Sequence, residues 1–101
     1  MIIMLNKSDI ENIENKYRRG LILQNLKQKY PEGVDFIVLQ KALELQGHPV
    51  TKRELASLIE YLNDGGYVKV TYFKKYILII TLSKKGIDLL EYAISDIGVN
   101  L

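Results

Sequence analysis

The chain has no cysteine and only one histidine. The first absence excludes disulfides, thiol nucleophiles and cysteine-built zinc fingers, and makes a reducing compartment, the cytoplasm, the expected setting. His48 stands beside Pro49 with no second imidazole or thiol to share a metal, so neither a metal nor another cofactor is expected. Prolines are scarce, and both of them, Pro31 and Pro49, fall where a helical pattern stops. No apolar run approaches the roughly 20 residues needed to cross a bilayer. The opening Met1-Ile2-Ile3-Met4-Leu5 is apolar but short and lacks a basic leader, which fits neither a signal peptide nor a membrane span. Catalytic signatures are missing too. Gly65-Gly66 precedes a strand pattern, so it is no phosphate-binding loop. Ser57 and Ser83 have no neighbouring base, and no pair of carboxylates is set in an apolar stretch. No enzyme is expected.

What remains is one domain over residues 1–101, 48% hydrophobic and 26% charged, enough to bury a core. The net charge of +2 is mildly basic, so the distribution of cations carries more information than their sum.

After the apolar segment 1–7, a first helical region spans 8–30. Ser8 and Glu11 have capping-box spacing at its start. Ile10, Ile13, Tyr17 and Leu21 follow helical spacing, with Met4 or Leu5 below them, and Leu21, Ile22, Leu23 and Leu26 make the second half strongly apolar. Gly20 marks either a break that starts the main helix at 18 or a close crossing. Pro31-Glu32-Gly33 ends the region. A second helix at 35–46 is capped by Asp35 and turns Phe36, Leu39, Ala42 and Leu43 inward. Gly47-His48-Pro49-Val50 forms the turn, with Val50 in the staple position before the next cap. The third helix, 51–64, opens with the capping box Thr51-Lys52-Arg53-Glu54, buries Leu55, Leu58, Ile59 and Leu62, and closes at Gly65-Gly66. Two β-rich runs, Tyr67 to Phe73 and Tyr76 to Leu82, flank Lys74-Lys75. That pair is not a preferred two-residue turn, so the loop is expected to be longer or bulged. A last helix is expected at 83–97, with Leu89, Leu90, Ala93, Ile94 and Ile97 on its apolar face.

This order is that of an α+β winged helix-turn-helix: a three-helix core, a two-stranded β-wing at 67–82 and a C-terminal helix. The run from Thr51-Lys52-Arg53-Glu54-Leu55 through Leu62-Asn63-Asp64-Gly65-Gly66-Tyr67-Val68 resembles the recognition-helix-to-wing passage of winged-helix transcription regulators. Leu82-Ser83-Lys84-Lys85-Gly86 followed by Leu89-Leu90 is similar to the start of the helix after the wing in regulators of the multiple-antibiotic-resistance and PadR types. These passages cover about half the chain. Arg18-Arg19-Gly20-Leu21-Ile22-Leu23 with Tyr30-Pro31-Glu32 is more loosely similar to small winged-helix proteins of Mu-like phages and prophages. The resemblance implies duplex DNA binding, by a transcriptional regulator or an accessory factor.

In such a motif the second helix enters the major groove N-terminus first. Arg53 is then the expected base reader, able to grip guanine O6 and N7. Thr51, Lys52 and Ser57 suit phosphates at the helix start. Lys74 and Lys75 at the wing tip would reach the backbone or the minor groove, with Lys69 and Lys84-Lys85 extending the strip. Against this stand Glu54, Glu60 and Asp64 on the same helix. They favour the alternative, a winged-helix adaptor that binds protein and not DNA.

The second strand of the wing is apolar on both faces. If Leu78, Ile80 and Leu82 point inward, Ile77, Ile79 and Thr81 point outward, joined by Tyr67, Thr71 and Phe73. Either the N-terminal segment or the last helix covers this face, or a second copy does. The latter predicts a homodimer built from the N-terminal segment, the outer wing face and the C-terminal helix.

Overall fold

The computed structural model describes residues 3–92 and 94–101. Met1 and Ile2 of the expected dimerisation segment, and Ala93 of the expected last-helix face, lie outside the described residues. The chain is α+β, with four helices and a three-stranded antiparallel sheet. The elements are α1 (Lys7–Lys27), β1 (Val34–Asp35), α2 (Phe36–Leu45), α3 (Lys52–Asp64), β2 (Val68–Phe73), β3 (Tyr76–Leu82) and α4 (Lys84–Leu90).

α1 begins one residue earlier than Ser8. Asn6 is its cap, accepting from the Asp9 N–H at 2.9 Å while the Asp9 carboxylate accepts from the Asn6 N–H at 3.1 Å. Asn6 takes the capping role expected of Ser8 two residues earlier, and its box with Asp9 satisfies the first-turn donors of the longer helix. The helix then runs unbroken through Gly20 and ends at Lys27, short of the expected residue 30. Gly20 is the site of a close crossing, but the crossing partner is the C-terminal tail. A Cβ there would run into the carbonyl of Asn100.

The caps of α2 and α3 follow the expected chemistry. Asp35 accepts from the N–H groups of Ile37 and Val38. Thr51 and Glu54 form the reciprocal box at 3.1 and 2.9 Å. Gly66, at φ +79°, makes the left-handed exit from α3, one residue after the cap Gly65. Leu55, Leu58, Ile59 and Leu62 of α3 join Ile22, Leu23 and Leu26 of α1 and Leu39 and Leu43 of α2 in one core. Ala42 is only half-buried.

The sheet order is β1-β3-β2, and β1 is an element the periodicity did not reveal. Two residues are too short to show alternation, and β1 exists only because Val34 pairs with Ile80 and Asp35 with Ile79. Lys74-Lys75 closes β2 onto β3, with Lys74 alone left-handed at φ +55°. The pairing slips between Thr71↔Ile79 and Tyr72↔Ile77, leaving Leu78 as the extra residue of a bulge. The slip reverses the alternation. Ile80 and Leu82 are buried as expected, but Leu78 is 43% exposed and Ile77 packs toward the core in its place.

The outer face is also rearranged. Ile79 and Thr81 are half-buried against Gly33, whose missing Cβ leaves room for them. Tyr67 is buried, not outward-facing. The last helix is shorter than the expected 83–97. Ser83 caps α4 through the Gly86 N–H, and the helix stops at Leu90, with Tyr92 left-handed at φ +60°. Ile97 is 95% exposed, so it is part of no apolar helix face. Beyond the turn the chain comes back over α1. The Asn100 N–H donates to the Lys16 carbonyl at 3.0 Å, and Arg19 donates to the Gly98 carbonyl at 2.9 Å while lying 3.9 Å over the Tyr61 ring. No described helix is long and apolar enough to cross a membrane.

Candidate functional site

A cleft of about 520 Å³ opens between α3 and the β2–β3 ribbon. One wall is the exposed face of α3: Lys52, Arg53, Ala56 and Glu60. The start of α2, with Asp35, Phe36 and Ile37, forms the floor, and the ribbon supplies Tyr72, Lys75, Tyr76, Ile77 and Leu78. α3 presents this face because its other side is buried by four leucine and isoleucine side chains, and a helix has only one remaining face to offer.

Three of the seven residues singled out from the sequence meet here. Lys52 and Arg53 lie at the N-terminal end of α3, and Lys75 comes in from the ribbon turn. Thr51 stands one residue before Lys52, but its hydroxyl is taken by the Glu54 N–H. Ser57 is exposed one turn beyond Arg53, beside the cleft and not in it. Lys74 sits at the tip of the ribbon with its ammonium 5.6 Å from the Phe73 ring centre. Lys69 is exposed near the ribbon base, paired with Thr81 and well separated from the tip. Of the additional cations, Lys85 is drawn away to the ring of Tyr67 at 5.0 Å.

Electrostatically the cleft is mixed. Two acids line it: Asp35, one of whose oxygens accepts from the Ile37 and Val38 N–H groups, and Glu60. Among the described residues the ion pairs, Lys7–Glu11, Arg18–Glu14, Lys29–Glu32 and Lys41–Glu44, all lie elsewhere, so Lys52, Arg53 and Lys75 are not neutralised by a bonded acid. Glu54 stays below the usual carboxylate range because it accepts from the Thr51 backbone and the Thr51 side chain is bonded to it in turn. It remains an anion held against the helix start.

The aromatic component was missed in the sequence. Tyr72 and Tyr76 flank the Lys74-Lys75 turn, and aromatic residues on both sides of a hairpin tip were the available signal. With Ile37 and Leu78, they make the cleft largely apolar between its cations. Among the described residues no cluster of histidine or carboxylate side chains could hold a metal ion. Comparison of the chain with protein families, with curated proteins and with solved structures returns no match.

Proposed function

We propose that this chain is a winged helix-turn-helix protein that binds duplex DNA, as a regulator or accessory factor of the kind found in phages and prophages. In this reading α3 is the recognition helix, and β2 and β3 are the wing. The observation that carries it is the convergence of Lys52, Arg53 and Lys75, from two elements, on one cleft, where none of them is ion-paired among the described residues although Asp35 and Glu60 line the cleft too. Arg53 reads base edges. Lys52, Ser57 and the helix start hold one phosphate run, and Lys74 and Lys75 hold the next.

The test is fluorescence anisotropy with a generic duplex across a salt series. Phosphate-driven binding weakens with a log–log slope near −0.9 per phosphate neutralised, so a slope of about −4 or steeper is expected. Replacing Lys52, Arg53, Lys74 and Lys75 together by alanine removes binding without lowering the melting temperature, because all four are exposed. Binding that survives the quadruple change overturns the site assignment.

A second reading has its own observation. Ile37, Tyr72, Tyr76 and Leu78 expose apolar surface inside the cleft, beside Glu60. Exposed aromatic groups between charges suit a protein partner, and the adaptor reading takes over if no duplex binds at the lowest salt.

A further inference from the structure

The N-terminal half of α1 carries an apolar stripe that no described residue of its own chain buries. The buried residues of α1, Gly20, Ile22, Leu23 and Leu26, are all in its second half. Ile10, Ile13 and Tyr17 fall on one face at spacings of three and four, yet they are 48%, 51% and 46% exposed. Ile10 and Tyr17 stand seven residues apart, with Ile13 between them on the same face. A repeat of this kind is the seam of a two-helix coiled coil. Tyr17 is already steadied on one side by the His48 ring, 5.0 Å away centre to centre.

The charges beside the stripe say which partner fits. On one flank stand Asp9 and Lys16, on the other Lys7 and Glu14. Set a second copy of α1 antiparallel, with the two-fold axis between Glu11 and Asn12. Ile10 then packs on the partner's Ile13. In that register Asp9 faces the partner's Lys16, and Lys7 faces the partner's Glu14. Every flanking pair is opposite in sign, and symmetry doubles each one. A parallel pairing instead sets Asp9 against the partner's Glu14, like against like. The existing bonds of Lys7 to Glu11 at 3.8 Å and of Arg18 to Glu14 at 3.4 Å are exposed pairs within one turn, weak enough to be shared.

The geometry points to a homodimer held by antiparallel pairing of the N-terminal halves of two α1 helices, with Ile10 and Ile13 of both copies at its centre. This inference does not rest on DNA binding. A dimer that binds no duplex leaves it intact, and a monomer that binds duplex overturns it alone.

Sedimentation equilibrium up to about 200 µM, enough to populate a complex with Kd in the tens of micromolar, is expected to give twice the 11.6 kDa chain mass. Ile13→Asp, at an exposed position, returns the single-chain mass and leaves the melting curve in place at about 1 µM, where a dimer of this affinity is dissociated. Glu14→Lys weakens the dimer, and adding Lys7→Glu restores it. Because the chain has no cysteine, a single Gln24→Cys variant takes one spin label per copy. Antiparallel helices place the two labels about 40 Å apart at 1.5 Å rise per residue, whereas parallel helices bring them to about 10 Å. A monomer at every concentration, a dimer indifferent to Ile13→Asp, or the short label distance each overturns the proposal.

Discussion

The hydroxyl of Tyr67 donates a 2.7 Å hydrogen bond to the carboxylate of Asp96, 29 residues further along the chain. Asp96 also accepts from the Tyr61 hydroxyl at 3.0 Å and from the Gly98 N–H at 2.7 Å. One carboxylate thereby ties the C-terminal tail to α3 and to the start of the ribbon. Burial alone would raise the Asp96 pKa. The donors Tyr67, Gly98 and Tyr61, with the charge of Arg19, outweigh burial and hold it below the usual carboxylate range. The Tyr67 hydroxyl is pushed up to about 12, first by its bond to Asp96 and then by burial.

These two shifts set opposite ends of a stability profile. Asp96 is more acidic folded than unfolded, so its contribution is present above about pH 4 and fades as pH falls through its lowered value. Tyr67 is less acidic folded than unfolded, so its contribution is whole below about pH 10 and is lost between about 10 and 12. Tyr67→Phe is expected to cost about 1.5–3 kcal/mol at neutral pH, the range for a hydrogen bond to a charged group, and to flatten the alkaline limb. Urea melts of both proteins across the pH range check this, and an unchanged alkaline limb in Tyr67→Phe would count against it.

Gly20→Ala tests the contact between α1 and the tail. Helix propensity alone predicts a gain of up to about 1 kcal/mol. The new methyl would meet the Asn100 carbonyl, which is backbone and cannot rotate aside. A net loss of about 1–3 kcal/mol is expected, the cost of overpacking. In a chain truncated after Gly98 the same substitution should cost nothing, and thermal melts of the four proteins separate the two effects.

Thr51→Ala removes the reciprocal cap of α3 and should cost about 1 kcal/mol. Thr51→Ser should preserve it. The lowered pKa of Glu54 contributes stability above its unfolded value, near 4.3, that is lost as pH falls through the folded value. The alanine variant should therefore show a shallower acid limb, read by circular dichroism between pH 2 and 5 at intervals of about one unit.

Lys74 occupies a left-handed turn position that a non-glycine side chain enters at a cost of roughly 1–2 kcal/mol. Lys74→Gly should raise the melting temperature while weakening duplex binding. That opposition separates a cation kept for contact from one kept for folding, and paired melting and anisotropy measurements read both.

Glu60 is one of the two acids lining the cleft, so Glu60→Gln should tighten duplex binding by about three- to tenfold at low salt, with the gain shrinking as screening shortens. A variant with unchanged affinity at every salt concentration would mean that the cleft face of α3 carrying Glu60 does not meet the duplex.

How much of this was legible in the residues depends on the range of the signal. The Thr51–Glu54 box, the Asp35 cap, the Leu55-Leu58-Ile59-Leu62 face and the two ribbon strands are written within a few residues of one another, and each lies where local chemistry placed it. Of the candidate site, Lys52 and Arg53 were legible as the free face of a capped helix. Their meeting with Lys75, Tyr72 and Tyr76 was not, because it depends on how the ribbon folds back over α3.

The sequence by itself determined the order of the helices and the two ribbon strands, the caps of α2 and α3 and which side of α3 is buried, because periodicity and capping are decided by neighbours in the chain. Tertiary structure decided the rest. β1 exists only through its pairing with β3, and Leu78 turns outward only because the ribbon register slips beside it. The apolar run after Leu90 leaves the helical path where the chain turns back to set Asp96 on Tyr61 and Tyr67 and Asn100 on Gly20. Each of these outcomes turns on partners far apart along the chain, and a residue's own neighbours carry no record of what will meet it across the fold.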